Sequence, residues 1–532
     1  MKILSTISAI NLKTPPQDAA YILKDSNYLC FLDSSLSPDK YSRFSYIGWD
    51  PKFVIKSSGY KNEFTGNARD IRYYSYQHPL SFLKQNIKDY TCSPPGSEIK
   101  NVRVVYIDEG RIVKITRDLE EKLPDFKGGF AGYFSYDLKN YIEELPQNAS
   151  DDVNLPIFYL AYYDRLLAYG HQDSRWYFIR NFLTGEKKEE NKSACETTFL
   201  EDDYMDPDIS ERDLIRKVNL EVESVASSLE GLNDIKRDII EKYYKKNISN
   251  IKLRSNLTRR NYIKKVLETK EYIHNGDIYQ ANFSQRFEAD LPVEPMDLYY
   301  ILREKNAAPF SAFMGFPELS IGSSSPERFL FLKNNIIETR PIKGTRPRGI
   351  DSDSDNKNMM ELKDSIKDRA ELNMIVDLER NDLGKFCYYG TVRVYEHAVV
   401  EKYARVFHSV STVIGRVKKG TDISGIIKAA FPGGSITGAP KIRAMEIIDE
   451  LEPTVRSVYT GSAGYIGIDS TMDLNIVIRT FVIKGNKFYY NVGGGIVEDS
   501  VPEDEYNETL DKGIALKETL KFFNAKNLRK LL

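Results

Sequence analysis

Asn334-Asn335 separates two runs of residues, Arg328–Lys333 and Ile336–Ile342, and commits the middle of this chain to a β-hairpin. Asparagine tolerates positive φ, so the pair suits a tight two-residue turn. If Lys333 pairs with Ile336, Glu327 falls opposite Ile342, one residue before Lys343. In perfect register Lys343 points to the other face, and a bulge or the following turn is needed to bring it back. A carboxylate and a lysine meeting there form either an acid beside an amine nucleophile or an ordinary cross-strand ion pair. Geometry alone leaves both readings open.

The hairpin runs into Thr339–Gly349, where Lys343 stands among Arg340, Arg346 and Arg348, with prolines at 341 and 347 and glycines at 344 and 349. Prolines fix φ, and glycines let a ligand approach the backbone. Like charge disfavours the protonated lysine, and the free amine is the nucleophilic form. A basic surface loop that binds any anion fits the same composition.

The rest of the chain limits what such a site can serve. At 532 residues the expectation is two domains or one large composite unit, and 41% hydrophobic residues are ample for a core. A net charge of −2 gives no basic field for nucleic acid and no acidic excess for disorder. Cys30, Cys92, Cys195 and Cys387 show neither metal-ligand spacing nor a disulfide framework, which points to thiols in a reducing cytoplasm. The first residues lack the continuous apolar core of a signal peptide, and no run of 18 apolar residues predicts a membrane span.

Three regions follow from the local patterns. Residues 1–185 read as short strands and turns, with strands at 28–34 and 41–48 and a glycine-rich aromatic one at 128–137. Residues 186–253 read as a charged, solvated linker or insertion with some helix over 235–246. Residues 254–523 carry the candidate chemistry. There, Thr258 caps a helix that ends at Gly276, and a strand containing Gln280 follows. A second helix is predicted over 360–382, with Glu371 near its apolar stripe of Leu362, Ile366, Met374 and Leu378. His408 sits in an apolar stretch. Pro432–Lys441 is glycine-rich but lacks P-loop spacing.

The C-terminal strands and helix supply further candidates. A turn over Lys484–Lys487 places Arg479 opposite Val492, beside Gly493, Gly494 and Gly495. An arginine fork beside exposed backbone N–H groups makes a carboxylate site. Ser500-Val-Pro-Glu503 reads as a capping box that opens the last helix. On it, Glu505 and Glu508 lie on one face and repel unless a cation sits between them or both are solvated. Lys512 follows one turn later.

Ser325-Pro326-Glu327-Arg328-Phe329 followed by Pro341-Ile342-Lys343-Gly344-Thr345 resembles the chorismate-utilising enzymes. Leu378-Glu-Arg-Asn-Asp-Leu383 and Gly433-Gly-Ser-Ile-Thr-Gly438 strengthen the resemblance, which is dense from 258 to 520 and looser before it. The branch it looks most like makes p-aminobenzoate, on the way to folate. The resemblance implies an α/β fold of two large, mainly antiparallel sheets packed together and flanked by helices. It implies Mg²⁺ held by Glu371, Glu505 and Glu508. It implies Lys343, Glu327 and His408 at the reacting ring, and chorismate held by Gln280, Thr345, Tyr465, Arg479, Gly493, Gly494, Gly495 and Lys512. Relatives that add water carry a lysine base where Gln280 stands, and anthranilate synthases usually carry alanine where Lys343 stands.

The expected reaction is therefore amination of chorismate at C4. Anthranilate synthesis is the nearest alternative, and a noncatalytic chorismate or tryptophan binder is a more distant one. None of the four cysteines lies in a Gly-x-Cys-x-Gly context, so a separate glutamine amidotransferase subunit is the expected ammonia source. Asp33 stands where anthranilate synthases have a glutamate lining their tryptophan pocket, an argument against tryptophan inhibition.

Overall fold

A computed structural model describes every residue except 1, 37–40, 67–70, 91–101, 185–200, 231–233, 249–250, 404–405 and 532. Among the described residues, one sheet has 15 strands and the other 12. Nearly all pairings are antiparallel. The exceptions among the described residues are Lys2–Ile10 with Val102–Asp108 and Arg175–Thr184 with Tyr204–Met205. This is the expected class: two large, mainly antiparallel sheets with helices on their faces.

Alternating residues of both sheets meet in a shared aromatic layer. Ile7, Tyr46 and Ile179 come from one sheet, and Val54, Tyr133, Tyr159 and Tyr465 from the other. The outer face of the 12-stranded sheet packs on helices Pro79–Tyr90, Ile366–Phe386 and Ile423–Ala430 through Leu83, Leu372, Val376 and Ile426. The outer face of the other packs on Ile235–Lys246 and Pro295–Lys305 through Ile239, Tyr243, Leu298 and Leu302.

Both sheets cross the expected boundaries. Cys30–Asp33 pairs with Phe310–Gly315, and Gly129–Phe134 pairs with Ser462–Gly467. Residues 1–185 and 254–523 therefore complete each other's sheets and do not form separate layers. The linker reading of 186–253 is also corrected. Its first residues lie outside those described, but helix Glu211–Ser228 buries Leu214 and Val218, and Ile235–Lys246 buries four side chains. The charged residues of these two helices form their solvent faces, and the charged run 186–192 lies outside the described residues.

Local expectations fared unevenly. Thr258 caps helix Arg259–His274 by accepting from the Asn261 N–H. The helix expected over 360–382 is two helices, Ser352–Asp364 and Ile366–Phe386, because Ser365 caps the second by accepting from the Asp368 N–H. Ile366, assigned to the apolar stripe, lies at this break and is 85% exposed. Of the cysteines, Cys30 and Cys387 are buried free thiols, and Cys92 and Cys195 lie outside the described residues. No helix among the described residues is long and apolar enough to cross a membrane.

Candidate active site

The hairpin forms in the expected register at its tip, with Lys333 opposite Ile336, and Asn334 and Asn335 at φ 51° and 64°. Between Phe331 and Arg328 the register slips by one, so Arg328 faces Arg340. That bulge turns Glu327 toward the next strand, where its carboxylate accepts the Ile342 backbone N–H. A second slip follows in Ile342–Pro347, which pairs with Val406–Arg416. Lys343 faces Ser409, and Thr345 faces His408. Gly344 sits at this slip with φ +77°, where a Cβ would lie 2.8 Å from Leu362 and 2.9 Å from Asp368. The two irregularities bring Glu327, Lys343, Thr345 and His408 into one neighbourhood.

Glu327 is 5% exposed, and burial pushes its carboxyl up to about 7. A hydrogen bond from Ser435, the Lys343 charge, the Ile342 N–H and Arg479 all pull the other way. A carboxyl balanced there can give up a proton near neutrality. The Lys343 amine is held below its ordinary range, first by burial. Lys512 adds to that, while Glu371, Glu327 and Glu508 oppose it. The flanking arginines do not have the role expected of them. Arg340 pairs with Glu401, Arg346 with Glu361 and Asp368, and Arg348 with Asp355, so their charges are answered by carboxylates.

His408 is buried, and its Nδ1 lies 2.9 Å from the Thr345 hydroxyl. Burial, then Arg479, pushes the imidazole down to about 3, so it stands neutral, and its Nε2 has no hydrogen-bond partner. Gln280 is fully buried with both amide atoms unpartnered. Its Nε2 and the Lys343 Nζ lie 2.9 and 3.0 Å from the point a Gly495 Cβ would occupy. Gly494 has a similar place one residue earlier, its vacant Cβ position lying 3.0 Å from Glu505, 3.8 Å from Lys512 and 3.9 Å from Glu508. The Gly493 carbonyl accepts from Lys512 at 3.0 Å. Gly494 and Gly495 therefore leave a groove floored by backbone and walled by amines, carboxylates and one unpartnered amide, whereas a Gly493 Cβ would meet the Phe283 carbonyl at 2.6 Å.

The carboxylates face the same groove. Glu371 is raised by burial, with Lys343 opposing and Glu508 adding to the rise. Glu505 is raised by burial and by Glu508, although the Ser500 hydroxyl donates to it at 2.6 Å. That bond replaces the expected capping box: helix Pro502–Lys512 has Val501 at its N-cap and no side-chain cap. Burial raises Glu508 too, but Lys512, 2.7 Å away, holds it below its ordinary range. Among the described residues, no three His, Cys, Asp or Glu side chains stand close enough to cage a metal ion. Mg²⁺ seldom needs such a cage, since it takes one or two carboxylates and completes its shell with substrate and water. Hard oxygens that repel one another across an open groove fit that cation.

Arg479 lies just before the strand Thr480–Lys484 with φ 51°, and its guanidinium makes no ion pair among the described residues. Burial lowers its basicity, and Tyr403 and Glu327 oppose that. It is a buried cation beside the acid and is available to a substrate carboxylate.

Tyr465 is the exception among the candidates. Its ring stacks on Phe126 at 4.4 Å and lines a cavity of about 270 Å³ with Asp33, Arg43, Arg328 and Asp473, away from Lys343. The strand alternation that buries Tyr465 between the sheets excludes it from the groove. Tyr459 was passed over: it is buried beside Asn282, Glu452 and Arg456. Asp33, in that second cavity, is taken up by Arg303 at 2.8 Å and Tyr299 at 3.0 Å. Ser435 was also missed, although its glycine-rich motif was noted. Its contact with Glu327 spans more than a hundred residues and has no local pattern.

The chorismate-binding enzyme family model matches residues 107–518. This chain belongs to that family. The match begins well inside the expected N-terminal region. Among relatives of this chorismate-binding enzyme, aminodeoxychorismate synthase component 1 of Escherichia coli is 40% identical over 500 residues, covering 93% of this chain and 95% of the relative. An anthranilate synthase component 1 of Haloarcula marismortui is 39% identical over 411 residues, covering 77% and 78%. The solved anthranilate synthase component I of Streptococcus pneumoniae superposes with a TM-score of 0.66 at 27% identity, covering 91% of this chain and 93% of that one. Overall identity therefore fixes the family and does not separate the two aminations.

Proposed function

We propose that this chorismate-binding enzyme is an aminodeoxychorismate synthase component I, converting chorismate and ammonia to 4-amino-4-deoxychorismate and water. The observation that carries the proposal is the pairing of a Lys343 amine of lowered basicity with a Glu327 carboxyl raised to about 7 in one groove. Alanine at position 343, usual in anthranilate synthases, would leave C2 open to ammonia. A lysine there occupies that carbon and directs ammonia to C4.

In the first half, the Lys343 lone pair forms a C2–N bond and the ring double bonds shift. The C4–O bond breaks, and Glu327 protonates the departing hydroxyl, which leaves as water. In the second half, ammonia forms the C4–N bond, the ring bonds shift back, and the C2–N electron pair returns to Lys343. The proton shed by the incoming nitrogen restores Glu327. Arg479, Lys512 and the Gly493–Gly495 backbone bind and orient the substrate carboxylates. Neutral His408 lies against the ring with its free Nε2. Mg²⁺, held by Glu371, Glu505 and Glu508, would neutralise the ring carboxylate and make the ring electron-poor. Gln280 carries no basic amine, so water is not activated. Both relatives are named component 1, and the proposed partner is a glutamine amidotransferase that supplies ammonia.

Incubation with chorismate, Mg²⁺ and an ammonium salt, followed by chromatography, tests the assignment. The expected main product is 4-amino-4-deoxychorismate. Anthranilate as main product would instead establish the tryptophan branch, which the Haloarcula relative favours.

A further inference from the structure

Helix Ile366–Phe386 contributes to more than the metal side of the groove. Glu379, two turns beyond Glu371, is 3% exposed and has no basic partner within ion-pair distance among the described residues. Its Oε1 accepts the Gly434 N–H at 3.0 Å, and its Oε2 accepts the Thr339 hydroxyl at 3.3 Å. Gly434 opens the short turn Gly434–Ile436, whose middle residue, Ser435, places its hydroxyl beside the Glu327 carboxyl. Thr339 lies on the strand that leads to Lys343. One carboxylate thus joins the turn behind the acid to the strand that delivers the amine. The same helix holds the other end of the loop. Asp382 pairs with Lys441, whose ammonium also donates to the carbonyls of Ala430 and Pro432.

Burying a carboxylate to hold one backbone N–H and one hydroxyl is costly unless the geometry is needed. A Gly434 Cβ would come within 2.6 Å of Leu378 and 3.2 Å of Glu379, so the turn already sits tight against the helix.

We propose that Glu379 is a positioning residue, fixing the Gly434–Ile436 turn so that the Ser435 hydroxyl is held on Glu327 and the acid is aimed at the departing hydroxyl. The proposal rests on the reading of Glu327 as that acid. Burial holds Glu379 itself up near 7, with Asp382 and Glu327 adding to the rise and Lys441 and the Gly434 N–H opposing it.

The test is a double-mutant cycle on kcat for total chorismate consumption, whichever amine isomer forms, with KM and Tm measured for each variant. Glu379→Ala should lower kcat about tenfold, because a displaced acid loses part of the ~10²–10⁴ that such catalysis supplies. KM should stay within about twofold, since no substrate contact is lost. Ser435→Ala should give a similar loss. The double variant should be no worse than either single one, because both act through one contact. Glu379→Gln should recover most of the rate. Its amide oxygen still accepts from Gly434, and its NH₂ donates to the Thr339 hydroxyl.

Losses that multiply in the double variant would overturn the proposal. So would wild-type kcat in Glu379→Ala, or a loss that follows Tm and KM with no recovery in Glu379→Gln. Unimpaired turnover in Glu327→Gln would instead overturn the underlying reading of the acid, and an unexpected amine isomer would overturn only the proposed product.

Discussion

Gly495 is where a single methyl group tests the groove most sharply. In Gly495→Ala the new Cβ would sit 2.9 Å from the Gln280 amide nitrogen and 3.0 Å from the Lys343 amine. Comfortable contact between such atoms is about 3.5 Å or more, so the amine must retreat by roughly half an ångström. A 1 Å displacement of reacting groups costs about 10²-fold in rate. Half of that predicts roughly a tenfold fall in kcat. Gly495 is not among the positive-φ glycines, and the atoms in the way are ends of flexible side chains. Stability should therefore fall by less than the ~1–3 kcal/mol typical of an overpacked rigid core. Steady-state chorismate consumption with a thermal melt separates the two effects. A folded Gly495→Ala variant with wild-type kcat and KM would refute the placement of Lys343 over this glycine.

Other expectations follow from the same geometry. Gly384 lies inside helix Ile366–Phe386 with nothing within 4 Å of its vacant Cβ position, so Gly384→Ala should stabilise the chain by about 0.5–1 kcal/mol, read as a higher denaturation midpoint without loss of activity. Lower stability would mean the helix is strained there. Glu327 acts only when protonated, so with its carboxyl raised to about 7, saturated turnover should fall as pH rises through that value. A rate that stays flat well into the alkaline range contradicts the acid assignment. Chelation should abolish turnover and Mg²⁺ restore it. Full activity in excess chelator would remove the metal from the account.

The sequence made the hairpin legible because its information is local. Asn334-Asn335 fixes the turn, and pairing outward from it puts Glu327 near Lys343. The two register slips that complete the meeting were foreseen only as a need for some bulge, since a slip depends on the neighbouring strands. Ser365 splits a helix that periodicity read as continuous, because the apolar spacing happens to carry across the break. Ser500 was read as a cap, but its hydroxyl finds a better acceptor in Glu505. Tyr465 shows the limit of carrying a role over by motif: a tyrosine of the right strand lies on the wrong face. Glu379 and Ser435 were visible as motif members, yet their link to Glu327 exists only after residues more than fifty positions apart pack together. The influence of the flanking arginines on Lys343 failed for a similar reason, because their partners Glu361, Asp368 and Glu401 lie outside the local stretch.

The central claim is that Lys343 bonds covalently to C2 of the ring and thereby sends ammonia to C4. Incubating the protein with chorismate and Mg²⁺ in the absence of ammonia, then quenching and mapping peptides by mass spectrometry, tests it directly. The account predicts an adduct on the peptide containing Lys343 that is absent in Lys343→Ala, with any residual turnover of that variant shifted toward the 2-amino product. No trapped adduct, together with normal rate and product in Lys343→Ala, would contradict it.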